Sequence, residues 1–137
     1  MRKRKHRVII DTNLWISFLI NGDYSRLDKI LDNRRIILLY SQELIDEFVE
    51  VAKRPKFKKY LTLDDIREIL LKIATRAEFI EVESKVDISK DPKDNFLLEL
   101  AKDGKATHLL TGDKYLLSIE KFFRTSILSI TEYLKSI

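Results

Sequence analysis

Four acids spread along the chain, Asp11, Glu47, Asp94 and Asp113, each fall at or near an expected junction between a secondary element and a loop, and Asp91 precedes Asp94 by three residues. Carboxylates brought together repel one another and raise their own pKa values unless a cation neutralises them. Magnesium and manganese favour oxygen ligands, and one or two such ions would polarise a phosphodiester, help generate hydroxide and stabilise the leaving oxygen. The chemistry these residues point to is therefore metal-dependent cleavage of nucleic acid. Thr12, Asn13 and Thr111 stand beside the acids as supporting donors for a carboxylate. Each acid alone also has an ordinary use: Asp91 as a helix cap, Asp94 at the positive end of a helix, Glu47 on a helix surface, Asp11 and Asp113 in turns.

Composition narrows the choice. With 137 residues, 45% hydrophobic and 35% charged, and only three glycines and two prolines, the chain reads as one domain over 1–137 with a real core and no disordered tract. The absence of cysteine excludes disulfides and thiolate ligands, and two histidines, His6 and His108, are too few for a His-rich zinc centre. Any metal must be held by oxygen. Asp11 follows Arg7 too closely to admit a signal peptide's apolar stretch, and no run approaches a membrane span, so the expectation is a cytoplasmic protein without membrane association. The net charge of +4 is uneven: residues 1 to 7 hold five Lys/Arg, leaving the remainder at about −1. That basic N-terminal arm, at 1–6, includes His6. A second cluster, Lys53, Arg54, Lys56, Lys58 and Lys59, surrounds Phe57 and ends beside Tyr60. It offers phosphate attraction next to stacking surfaces and is the better candidate for nucleic-acid binding; a solvated helix end with Phe57 anchored in the core explains it equally well. Trp15 reads as core and His108 as a partly packed side chain rather than a base.

The elements that must position the acids alternate. Arg7 to Ile10 reads as a strand reaching Asp11, and Ile36 to Tyr40 as another before Ser41, an N-cap for a helix over Gln42 to Lys53. Helical pieces at Leu14 to Leu19 and Leu27 to Leu31 are separated by Asn21-Gly22. Pro55 marks the end of the Gln42 helix. Thr62 and Asp65 make a capping box opening a helix with Ile66, Ile69, Leu70, Ile73 and Ala77 on its apolar face. Phe79 to Val82 reads as a strand. Asp91-Pro92-Lys93-Asp94 supplies an N-cap, a proline at the first helical position and an acid at the third, for a helix running to Gly104. Thr107 to Leu110 reads as a strand ending in Thr111-Gly112-Asp113. A short amphipathic helix falls within Leu116 to Phe123, a last strand at Ile127 to Ile130, and Thr131 caps a helix over Glu132 to Lys135. Such alternation favours a mostly parallel sheet covered on both faces, whose ligands bind beyond the carboxyl ends of the strands.

Four segments stand out together: Val8-Ile9-Ile10-Asp11-Thr12-Asn13; Ser41 to Glu47 with Arg54-Pro55-Lys56-Phe57 downstream; Asp91 to Ala101; and Leu110-Thr111-Gly112-Asp113. In this order they resemble the PIN-domain family, particularly its compact prokaryotic, VapC-like members described as toxins of toxin-antitoxin systems. The resemblance covers nearly the whole chain after the arm. It implies a three-layer α/β/α fold with a central, mostly parallel sheet and a ribonuclease (hydrolase) dependent on Mg2+ or Mn2+. It further implies an acidic site of Asp11, Glu47, Asp94 and Asp113 with Asp91 beside it, RNA as substrate, a homodimer and a cognate antitoxin. Two other readings stay open: a catalytically weak RNA-binding or regulatory protein of the same fold, and a receiver-like protein using Asp11 as a nucleophile. The second lacks a glycine-rich phosphate loop.

Overall fold

The computed structural model describes residues 5–22 and 24–137, so most of the basic arm lies outside the described residues. Six strands form one sheet: β1 (His6–Ile10), β2 (Ile36–Tyr40), β3 (Ala77–Phe79), β4 (His108–Leu110), β5 (Lys121–Phe122) and β6 (Thr125–Leu128), in the order β3-β2-β1-β4-β6-β5. All neighbours are parallel except β5 and β6. Around them run α1 (Thr12–Asn21), α2 (Tyr24–Leu31), α3 (Gln42–Ala52), α4 (Leu63–Arg76), α5 (Pro92–Asp103), α6 (Lys114–Ile119) and α7 (Ile130–Ser136), with a 3-10 turn at Pro55–Phe57.

β1 is the centre of this arrangement because it is apolar on both faces. Val8 and Ile10 pack with Trp15, Phe48, Ile66 and Tyr133 on one side, while Ile9 packs with Leu97, Leu100 and Leu116 on the other. The alternation of side chains along a strand sends neighbours to opposite layers. Helices therefore cover both faces, and the chain is a three-layer α/β/α fold.

Local signals explain most boundaries. Gly22, at φ 64, closes α1 in the left-handed conformation that glycine adopts without steric cost. Thr62 and Asp65 form the reciprocal capping box of α4, and Asp91 caps α5 with Pro92 at its first turn. Gly104 ends α5 for a packing reason, since a Cβ there would lie 2.9 Å from both the Leu100 carbonyl oxygen and Leu39 Cδ1.

Four boundaries differ from expectation. The strand expected at Phe79 to Val82 begins earlier: Ala77 leaves the α4 face to pair with Leu38, and Phe79 with Tyr40 ends the strand. The last strand is Thr125–Leu128, with Ser129 rather than Thr131 capping α7 by accepting from the Glu132 N–H, which leaves Ile130 free to enter the core. The Leu116 to Phe123 region holds α6 and then β5, an antiparallel partner of β6 too short to leave a periodic trace. His6 belongs to β1 instead of the arm, its ring 4.6 Å from His108 and its Nδ1 2.8 Å from the Tyr133 hydroxyl.

Candidate active site

The sheet order reverses at β1, which has β2 on one side and β4 on the other. A crevice opens beyond the carboxyl ends of parallel strands at such a switch point. Asp11 directly follows β1, and Thr111 to Asp113 directly follow β4. The paired register of Ile10 with Leu110 brings two segments a hundred residues apart side by side, and Asp11 N–H donates to the Leu110 carbonyl at 3.0 Å.

Asp11 is buried, 1% exposed, and its carboxylate is held on purpose. Oδ2 accepts from Thr111 Oγ1 at 2.8 Å, and Oδ1 accepts from the Asn13 N–H at the start of α1. Thr111 Oγ1 in turn accepts from the Asp113 N–H at 3.0 Å, so one hydroxyl fixes the relation of two acids. Asp113 caps α6 through Oδ1, which accepts from the Tyr115 and Leu116 N–H groups. Asn13 itself is exposed at the mouth, whereas the buried Thr12 Oγ1 has no hydrogen-bond partner.

α5 contributes the second half. Asp91 spends one oxygen on the Lys93 N–H as the N-cap. Asp94, one turn in, is buried at 3% exposure; Oδ2 accepts from Ser89 Oγ at 3.1 Å, and Oδ1 has no partner. Burial first, then the nearby charges of Asp113 and Asp91, push its pKa up despite the Ser89 bond. α3 brings Glu47, also pushed up, by burial and then by Asp11 and Asp91, with Lys93 opposing. Lys93 Nζ lies 3.6 Å from Asp11 Oδ1 and 3.8 Å from Glu47 Oε1. Glu47 thus feels the charges of Asp11 and Asp91, and Asp94 those of Asp91 and Asp113, which links the five acids into one region.

Two members of the site, Lys93 and Ser89, are not singled out by the sequence pattern. A lysine in the first helical turn reads as solvated, and only the packing of α5 against α3 turns it towards Glu47. Outside the acids, a groove of about 650 Å³ is lined by Asn13, Glu47, Arg54, Asp91, Lys93 and Phe96. Of the basic segment, Arg54 alone borders this groove; Lys53, Lys56, Lys58 and Lys59 are exposed beyond it, and Phe57 packs against the core with Lys56 Nζ 5.0 Å from its ring centre.

The donor set suits a hard divalent ion: every acid offers oxygen, and a buried carboxylate oxygen without a partner is costly unless a cation or donor reaches it. In the side-chain arrangement described, no three acids among the described residues are spaced to hold one ion. The Lys93 ammonium supplies positive charge between Asp11 and Glu47 instead.

A central parallel sheet, two helical layers and an acidic crevice at the switch point define the class. The PIN-domain family model matches residues 7–115, and the chain belongs to that family, whose domains are generally nucleases. The chain is similar to the uncharacterized protein MJ1680 of Methanocaldococcus jannaschii, with 31% identity over 122 residues, 87% of this chain and 78% of that one. Among solved structures, PAE2754 from Pyrobaculum aerophilum has the same fold at a TM-score of 0.59 and 14% identity, covering 96% of this chain and 88% of that one. VapBC2 from Rickettsia felis, bound to a DNA fragment from its promoter, matches at a TM-score of 0.55 and 18% identity, covering 88% and 96%. No helix among the described residues is long and apolar enough to cross a membrane.

Proposed function

We propose that this PIN-domain protein is an endoribonuclease whose cofactor is Mg2+ or Mn2+, held by Asp11, Glu47, Asp94 and Asp113 with Asp91 at the edge. The observation that carries the reading is Asp94, a buried carboxylate with one unpartnered oxygen and a pKa raised by burial and by the charges of two further acids, Asp113 and Asp91. Bound there, the ion would supply Lewis-acid polarisation of the phosphodiester and offset its negative charge. Thr111 orients Asp11 and Asp113 together, and Ser89 orients Asp94. Lys93 and Arg54 present cationic groups to a phosphate entering the groove, while Lys53, Lys56, Lys58 and Lys59 attract the backbone farther out. A cytoplasmic toxin with a protein antitoxin, acting as a homodimer, accords with the VapBC2 likeness and belongs to the same proposal.

The decisive assay incubates wild type and Asp11→Asn with a mixed pool of structured and single-stranded RNAs in Mn2+, Mg2+ or EDTA and maps the cut ends. Cleavage lost both in EDTA and in the variant supports the nuclease. Undiminished cleavage by Asp11→Asn sinks the site assignment.

A second reading is favoured by one observation, the Lys93 ammonium between Asp11 and Glu47. It makes the protein an RNA-binding or regulatory member of the family with little turnover. RNA binding in the same assay without cut ends in either metal supports it.

A further inference from the structure

At the end of the sheet opposite the acids, Lys102, Lys105, Phe123 and Arg124 line a cleft of about 240 Å³ floored by Ala101 and Ala106. An adjoining hollow of about 560 Å³ shares Lys105, Phe123 and Arg124 and adds Lys121. Lys105 precedes β4, and Phe123 and Arg124 precede β6, whereas Asp11 and Asp113 follow the ends of β1 and β4. The two regions therefore sit at opposite poles of the sheet.

Phe123 is the unusual member. Phe122 pairs with Thr125, so Phe123 and Arg124 form a two-residue hairpin turn, and Phe123 takes φ 52 at its first position. Glycine is the residue that such a position ordinarily requires, and a bulky side chain there is strained. The other non-glycine residues at positive φ, Lys105 at 52 and Glu120 at 63, border the same region. The strain presents a ring that is 64% exposed, braced edge-on by Phe122 at 4.8 Å and approached by Lys102 Nζ at 5.3 Å. Lys105, Lys121 and Arg124 are exposed, and none makes an ion pair among the described residues. Glu120 lies beside Lys121 in the chain, and the Asp103 carboxylate beside Lys102 is occupied by the Glu83 and Ser84 N–H groups.

An exposed aromatic face ringed by unpaired cations is what single-stranded nucleic acid binds: bases stack on the ring and phosphates meet the cations. We propose that this pole is a second nucleic-acid-binding surface, taking a single-stranded segment with a base on Phe123 and phosphates on Lys105, Lys121 and Arg124. It goes beyond the acidic site and requires no catalysis there.

The test is fluorescence anisotropy of the full chain in EDTA with a labelled single-stranded RNA, the same sequence as DNA, and polyglutamate as an acidic-protein mimic, over a salt series. Lys105→Gln/Lys121→Gln/Arg124→Gln should weaken binding by about tenfold or more near 0.1 M salt and flatten the log–log salt slope by about 2. Phe123→Ala should cost about fivefold to a hundredfold, with Phe123→Trp restoring affinity. The RNA and DNA arms decide which strand is preferred. All substituted side chains are exposed, and equal melting temperatures would verify the fold. Unchanged nucleic-acid affinity in both the triple variant and Phe123→Ala overturns the proposal; so does an effect confined to polyglutamate, which would make the pole a protein-binding surface. Because no cleavage is measured, failure here is distinct from failure of the nuclease reading, which Asp11→Asn decides.

Discussion

Lys93 is the residue on which the electrostatics of the acidic crevice turn. Its ammonium offsets the repulsion between the buried Asp11 and the half-buried Glu47, at 3.6 and 3.8 Å from them. Replacing it by methionine removes that charge while keeping the stem's bulk. The expected result in EDTA is a loss of about 1–3 kcal/mol, because a buried carboxylate is left without its counter-ion. Thermal melts should also show a larger gain on adding Mn2+ to Lys93→Met than to wild type; an equal gain in both would mean that Lys93 and the ion do not compete. Asp94 behaves in the opposite sense. Burial raises its pKa, so its charge is a cost to the fold at neutral pH. Asp94→Asn should therefore melt at or above the wild-type temperature in EDTA yet lose most of the stabilisation by Mn2+. A lower melting temperature in EDTA would contradict the strained-carboxylate account. The positions of Asp11, Asp91, Asp94 and Asp113 are legible in the chain, since each sits beside a strand end or a cap signal, whereas Glu47 lies within α3 and has no such local mark. The lysine is not legible, because its role depends on how α5 lies against α3.

At the scale of elements, helix caps and site acids are the same residues. Asp113 caps α6 with Oδ1 and Asp91 caps α5, so substitutions there mix two effects that can be separated. Asparagine caps a helix as well as aspartate does, whereas alanine loses about 1 kcal/mol. Asp113→Asn should thus keep the wild-type unfolding free energy within about 0.5 kcal/mol and still lose metal-dependent cleavage, while Asp113→Ala loses both. Equal denaturant midpoints for the two variants would show that the cap contributes nothing. Capping chemistry also explains which boundaries could be read in advance. Thr62 with Asp65, Ser41, and Asp91-Pro92 are local, self-contained signals and mark real helix starts. β5 and the true limits of β3 and β6 depend on partners distant in sequence: Ala77 is a strand residue because Leu38 is beside it, and Lys121 because Ser126 is. α7 is capped by Ser129 and not by the expected Thr131, because the core takes Ile130 into the first turn.

Across the whole molecule, the C-terminal helix is tied to the sheet by a cluster of three rings. His6 from β1, His108 from β4 and Tyr133 from α7 lie with ring centres 4.6 to 5.7 Å apart, and Thr107 Oγ1 is 2.8 Å from His108 Nδ1. Nothing in the neighbourhood of His6 in the chain announces this, since its basic flank reads as a solvated arm; the cluster exists because parallel pairing sets Val8 against His108. Burial, then the neighbouring His6, lowers the His108 pKa to about 4, and burial raises that of Tyr133 to about 12. An unfolded histidine takes up its proton near 6.5, so between that value and about 4 the unfolded chain binds the extra proton and the folded chain does not. Stability is therefore fully present above 6.5 and falls as the pH drops through this window, by no more than about 3 kcal/mol. Glu47 and Asp94 act against the trend, because carboxyls raised in the fold bind protons more readily folded than unfolded. His108→Gln retains a hydrogen-bonding group but cannot be protonated. Denaturant unfolding at pH 6.8 and 4.5 should show a clearly smaller loss of stability in this variant than in the wild type. Parallel pH profiles for the two proteins would mean that acid sensitivity comes from carboxyls held below their ordinary value, such as Asp103, and not from the rings that fasten α7 to the sheet.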